Sequence, residues 1–199
     1  MRNVYNYFKA SEAAMKYIDL LVSLSQRERS AQYRFLVLIV GASFFLVVFS
    51  GLVLWASHWL VQVFRAVFVT PIPVLGWVLA LLGIALAAWA SLVMWFSADG
   101  TPAPLAPTRR LVTHGPFRYC RNPMQLAIMI YVLGLGTALF SLVTGICALL
   151  FTFVLGGLYH RFVEERELRA RFGEEYDRYR NATPFVLPRI WKHHDADSV

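Results

Sequence analysis

Three long uncharged blocks divide the chain, and its charged residues are gathered between and beside them. Residues 35–57 carry neither a charge nor a proline; as a helix, at ~1.5 Å per residue, they would extend roughly 35 Å. Residues 74–97 repeat the pattern. The block from Leu126 to Tyr159 is also uncharged, yet one helix of that length would reach about 50 Å against a hydrocarbon core of ~30 Å. A hairpin bent near Phe140-Ser141 removes the mismatch by giving two short spans of ~25 Å each. The expected fold is therefore all-α, a polytopic membrane protein with about four transmembrane helices, the last two forming a tight hairpin.

With 58% hydrophobic and 16% charged residues among 199, the chain departs from soluble composition and fits one membrane domain, 35–199, behind a basic segment, 1–34. Arg2, Lys9, Lys16, Arg27, Arg29 and Arg34 precede the first span, and Arg109, Arg110, Arg118 and Arg121 follow the second. Only Arg65 lies between spans one and two, and none lies near Phe140, so both termini and the central loop are expected to be cytoplasmic. Trp55, Trp59 and Trp77 then fall at the outer interface and Trp95 at the inner one. The net charge of +7 follows from this asymmetry and suits anionic lipid headgroups, not nucleic acid. Val4, Phe8, Met15, Ile18 and Val22 have near-helical spacing, as in a helix lying on the inner surface; a partly ordered basic tail is the alternative. The first thirty residues are too polar for a cleavable signal. Cys120 and Cys147 sit at different depths and give no disulfide.

Pro71-Ile72-Pro73 punctuates the first outer turn. The run from Asp99 to Pro107, with three prolines, cannot be helical and reads as a strap from the second span to a polar loop. Asn122-Pro123 has the form of a helix start, asparagine at the cap and proline at the first helical position. The fourth span is expected to continue as a charged helix through roughly Phe172, with Glu165/Arg169 and Glu167/Arg171 at i,i+4 spacing. Gly173 would end it, and Glu174 to Tyr179 would form a short further helix.

Pumps and channels place ionisable groups at membrane depth, whereas here only His58 and Arg65 come near it, both by the outer interface. The polar groups collect on the cytoplasmic side. There the helix opening at Asn122-Pro123 would aim free N–H groups and its positive dipole end at an anion, reinforced by Arg118 and Arg121. Glu164 and Glu165 offer the opposite sign to an ammonium or a ribose. A zwitterionic ligand matches; arginines meeting lipid phosphate and Glu-Arg pairs solvating a helix are the plainer alternative. His193-His194-Asp195 reads as a polar tail, and no metal site is expected.

The run Leu111-Val112-Thr113-x-Gly115-x-Phe117-x-x-x-Arg121-Asn122-Pro123 resembles the signature loop of the isoprenylcysteine carboxyl methyltransferase and phospholipid methyltransferase superfamily. The second half agrees in Glu164-Glu165-x-x-Leu168-x-x-x-Phe172-Gly173-x-x-Tyr176-x-x-Tyr179, then Pro184 and Leu187-Pro188. Gly134-Leu135-Gly136 is similar to the G-x-G that accompanies paired glutamates in phosphatidylethanolamine methyltransferases, although small residues also serve close helix packing. The matched region runs from 100 to 190.

The resemblance implies a membrane methyltransferase whose loop and C-terminal helices form a pocket for S-adenosylmethionine. Val112, Gly115, Tyr119, Arg121, Asn122 and Pro123 would line it from the loop, Gly134 and Gly136 from the third span, and Glu164 and Glu165 from the last helix. Arg161 and Glu165 are the catalytic candidates, Arg161 either bracing a glutamate or positioning an acceptor carboxylate. The adenine would lie against Tyr119 or Tyr176, and a lipophilic acceptor would enter from the bilayer. Asn122 stands where the isoprenylcysteine enzymes have histidine, and Phe117 and Gln125 replace tyrosines, which leaves the acceptor open. A carboxylate acceptor would need no base, and this inclines the reading to ester formation. A sterol-reductase-type enzyme using NADPH and a non-catalytic lipid-binding protein are the rival readings.

Overall fold

Prolines and short polar caps decide where each helix begins. The computed structural model describes residues 15–16, 19–64 and 70–188, and helices account for most of them. Val4, Phe8, Ile18, Arg65 and His193-His194-Asp195 lie outside the described residues. A short helix at residues 19–26 has Leu21 buried. Then α1 runs over Ala31–Val63, opened by Ser30, whose hydroxyl accepts from the Tyr33 N–H at 3.2 Å. α2, Pro73–Ala98, and α3, Pro123–Leu139, both start with proline at the first helical position, where its missing N–H costs nothing. α4, Leu142–Tyr159, follows after only Phe140 and Ser141, and Ser141 caps it by accepting from the Thr144 N–H. The expected hairpin bend is thus found where the sequence places it.

α1, α2 and the continuous helix Leu142–Ala182 are long and apolar enough to cross a membrane, while α3 is shorter at 17 residues. The chain is an all-helical multi-pass membrane protein, without a strand among the described residues. α1 begins before and ends after the uncharged block at 35–57, and a wider π-turn at Phe44–Phe49 interrupts it. Two carbonyls of that turn are taken up by side chains: Phe45 accepts from Ser50 Oγ at 2.7 Å and Leu46 from Tyr131 Oη at 3.2 Å.

The tightest packing joins α2 to α3 through small residues. A Cβ on Gly76 would lie 2.4 Å from the Ala138 nitrogen, and one on Gly83 would lie 2.7 Å from the Ala127 oxygen. Close backbone approach is how membrane helices gain contact where lipid removes the hydrophobic drive. Val53 and Leu54 of α1, Ile128 and Val132 of α3 and Ala148 of α4 form the apolar centre. Trp55, Trp59 and Trp77 are exposed on the side of the hairpin turn, where His58 stacks on Phe140 with ring centroids 4.4 Å apart.

At the other end, α2 stops at Asp99 in the left-handed conformation, φ 50°. The proline strap is non-helical and folds back, with Thr101 N–H on the Ala106 carbonyl at 2.7 Å and Arg109 N–H on that of Ala98 at 2.7 Å. A Cβ on Gly100 would lie 2.3 Å from Thr108 Cα, which is why glycine stands there. α4 passes through a second π-turn, His160–Glu164, into the charged α5, Glu165–Ala182. Gly173 breaks α5 with φ 53° and ψ −128°, close to where the sequence ends one helix and begins another.

Candidate functional site

The signature loop lies at the polar end, between α2 and the C-terminal segment. Val112 is buried, and Gly115, with φ +60°, opens a single 3₁₀ turn, Gly115–Arg118, over α2. A Cβ there would come 2.9 Å from Val93. Beside it, His114 Nε2 bonds Ser97 Oγ at 2.8 Å. Cys120 is buried, and burial pushes its thiol up to about 11. Arg118 and Tyr119 face solvent, and among the described residues no hydrogen bond or ion pair ties Arg118 to Arg121, Glu164 or Glu165.

The segment after α5 pins the loop. Arg121 N–H donates to the Pro184 carbonyl at 2.8 Å, and Asn122 N–H to that of Phe185 at 3.1 Å. Asn122 Nδ2 also donates to the Phe185 carbonyl at 3.1 Å, and its side chain does not cap α3. The asparagine therefore holds the cap position without the expected cap bond, because the returning chain offers its side chain an acceptor. The first turn of α3 is left without a side-chain cap, and Pro123 is fully buried.

The hairpin of α3 and α4 returns the glutamates to this loop. Arg121 Nη1 donates to Glu165 Oε1 at 3.1 Å, with each side chain 13% exposed, and to Tyr176 Oη at 3.4 Å. Arg121 also faces the Phe185 ring, and its Nε is buried without a hydrogen bond. Arg161 reaches Glu165 Oε2 at 3.3 Å as the expected brace, and Arg180 lies 3.9 Å from the same oxygen. Glu165 is thus enclosed by three arginines. Glu164 Oε2 is in close contact with His160 Nδ1.

Of the predicted residues, Arg121, Asn122, Pro123, Arg161, Glu164 and Glu165 come together, with Val112, Gly115 and Tyr119 on the adjoining loop. Gly134 and Gly136 do not: counting along α3, Gly134 is about 18 Å from Asn122. A Cβ on Gly134 would meet the Ala80 nitrogen at 2.3 Å, and one on Gly136 the Gly145 Cα at 2.6 Å. Both glycines serve helix packing. Glu167 pairs with Arg171 as its spacing predicts, and Arg171 also donates to the Thr108 carbonyl. Arg169 instead turns to Asp177, at 2.6 Å, because the break at Gly173 folds the chain back and Glu165 is already enclosed. His160 and Phe185 went unnoticed in the sequence. The i,i+4 spacing of His160 and Glu164 was a readable signal for the first; nothing local marked the second.

Tyr179 Oη donates to the Phe117 carbonyl at 2.7 Å, and burial raises the phenols of Tyr176 and Tyr179 above their ordinary value. Tyr176 is 2% exposed and Tyr119 is 41% exposed, so of these two rings only that of Tyr119 is open at the surface. Among the described residues no three His, Cys, Asp or Glu side chains gather as a metal would require.

An 81-residue stretch, 40% of this chain, is 36% identical to the cobalt-zinc-cadmium resistance protein CzcN of Cupriavidus metallidurans. That stretch spans 36% of the relative's length. No solved structure matches the chain. The sequence profile of phospholipid methyltransferases matches residues 72–175, which takes in α2, the strap, the signature loop, the α3–α4 hairpin and the first turns of α5. More than half of the chain lies within that match, and it belongs to the phospholipid methyltransferase family.

Proposed function

We propose that this protein transfers the methyl group of S-adenosylmethionine to a lipophilic acceptor at the cytoplasmic face of the membrane. The supporting observation is the pairing of Arg121 with Glu165 across the α3–α4 hairpin at the polar end. It sets cationic and anionic groups side by side, as a zwitterionic ligand needs. The residues suit the cofactor: Arg121 Nε is a buried donor without a partner, and α3 opens without a side-chain cap. Both favour a carboxylate. Glu164 is the better of the two acids for an ammonium or ribose, since Glu165 is neutralised by arginines. Tyr119 offers a stacking face for adenine.

When bound, the cofactor supplies an electrophilic methyl on a sulfonium, whose charge disperses as the group leaves. The protein's part is to orient and to exclude water, which the buried Pro123, Cys120 and Tyr176 accomplish around Arg121. No covalent nucleophile is required.

Calorimetry on the purified protein tests this reading. S-adenosylhomocysteine should bind, NADPH should not, and Glu165→Gln should weaken binding about tenfold. Binding of NADPH alone would favour a reductase; binding of neither would leave a lipid-binding protein.

A further inference from the structure

The Arg121 cluster occupies one side of α5, and the opposite side faces a second basic region. Glu167, two residues after Glu165, points about 200° away around the helix. There it pairs with the buried Arg171, which also donates to the Thr108 carbonyl of the strap. Beside this contact a cavity of about 360 Å³ opens between the short helix at residues 19–26, the end of the strap and α5. Val22, Ser25, Gln26, Arg109, Arg171 and Phe172 line it. That volume is within the range of small-molecule sites.

Arginines crowd the two segments at its mouth. Arg27, Arg29 and Arg34 lead into α1, and Arg109 and Arg110 end the strap. Two contacts draw these segments together, Arg109 to Glu28 at 3.1 Å and Arg34 to Asp99 at 3.4 Å. Glu28 is 85% exposed, so solvent screens it and it holds Arg109 weakly. Arg27, Arg29 and Arg110 have no carboxylate partner among the described residues, and the Nε of Arg29 and of Arg34 is buried without a hydrogen bond. Positive charge is in surplus here, and an anion would balance it. The surface below the arginines says which anion. Exposed Phe35 and Leu36 follow Arg34 on α1, and exposed Phe96 follows Trp95 on α2. Arg34 itself lies over the Trp95 ring, 4.6 Å from its centroid, a pairing suited to a membrane–water boundary. A cationic band above an exposed apolar band fits an amphiphile, whereas a soluble phosphate would use only the upper half.

We infer that this region binds a phospholipid of net negative charge from the leaflet at the polar end. Its phosphate meets Arg109 at the mouth of the cavity, with Arg27, Arg29 and Arg110 around it. The headgroup enters against Ser25 and Gln26, and the acyl chains run along Phe35, Leu36 and Phe96. A zwitterionic headgroup is disfavoured, because its ammonium would meet the surplus of arginines. The lipid is held and not methylated, since α5 stands between it and the Arg121–Glu165 pair. It ties the short helix to the strap and to α5, and this holds whatever the chemistry at Arg121.

Native mass spectrometry of the full chain in detergent, with phosphatidylglycerol or phosphatidylcholine added, tests this. Wild type should retain phosphatidylglycerol at least tenfold more tightly. The triple variant Arg27→Gln, Arg29→Gln, Arg110→Gln should lose about fivefold of that preference for each arginine removed, and Arg109→Gln should lose at least as much as any one of them. Arg109→Lys, which keeps the charge, should lose less than Arg109→Gln. Arg178→Gln, an exposed arginine on the limb of α5 beyond Gly173, should lose none. Sodium phosphate at matched ionic strength should not displace the lipid. In vesicles, replacing part of the phosphatidylcholine with phosphatidylglycerol should raise the melting temperature of wild type by several degrees, through binding to the folded state alone. Equal retention of the two lipids by wild type overturns the inference without recourse to any variant. So does an equal loss in Arg178→Gln, which would make net charge the cause, and so does displacement by inorganic phosphate, which would make the ligand a soluble one. None of these results bears on whether S-adenosylhomocysteine binds, so this inference and the methyltransferase reading fail separately.

Discussion

Arg121 serves several partners through one guanidinium. It meets Glu165, Tyr176 and the Phe185 ring at once, and its backbone N–H holds Pro184. A lysine ammonium is a point charge and cannot reproduce that planar set. Arg121→Lys should therefore fold but bind S-adenosylhomocysteine at least tenfold more weakly by calorimetry. Cys120 makes a simpler case. Its thiol is raised from 9.0 to about 11 by burial, so on the order of one molecule in a thousand is thiolate at pH 8. Its alkylation should be slow in the folded protein at pH 8, quicken about tenfold per pH unit until the pH nears 11, and become ordinary after denaturation. Rapid labelling at pH 8 would place the loop in a more open arrangement than the structure has.

Among the elements, α5 depends most on one residue. Gly173 takes φ 53° and ψ −128°, a region closed to side chains, and the reversal it permits lets Arg169 reach Asp177. The same break carries Tyr176 and Tyr179 back onto the loop. Nothing lies within 4 Å of a Cβ at Gly173, so Gly173→Ala isolates backbone strain from crowding. It should cost about 1–3 kcal/mol, lower the melting temperature by several degrees and weaken cofactor-analogue binding. Gly157→Ala, equally free of neighbours but inside the regular α4, should change neither.

For the whole molecule, the α2–α3 contact and the hairpin fix where the polar end lies relative to the spans. Gly134→Leu would drive a side chain into the Ala80 backbone and should destabilise the protein by several degrees, without altering the donor set around Arg121. The topology makes a separate prediction. Single cysteines at Thr113 and Glu174 should label from the same side of the membrane in oriented vesicles, and one at Ile72 from the other. Labelling of Thr113 and Glu174 from opposite sides would break the pairing of Arg121 with Glu165, and the proposed function with it.

Charge and proline spacing alone were enough for the helical membrane fold, the bend at Phe140-Ser141 and the start at Pro123, whereas Pro73, read as part of the outer turn, opens α2. These are local matters: an uncharged block of given length has few ways to meet a bilayer, and a proline has few places in a helix. The loop and the paired glutamates were also legible, as two polar patches bracketing one apolar excursion. Which partner each side chain takes was not. Asn122 could cap α3 or bind the returning chain, Glu165 could pair with Arg169 or Arg121, and Gly134-Leu135-Gly136 could serve a ligand or a neighbouring helix. In each case both options have acceptable local geometry. Only the three-dimensional approach of α2, α5 and the Pro184–Phe185 segment decided among them, because a hydrogen bond or a backbone contact goes to whichever group the fold brings within reach.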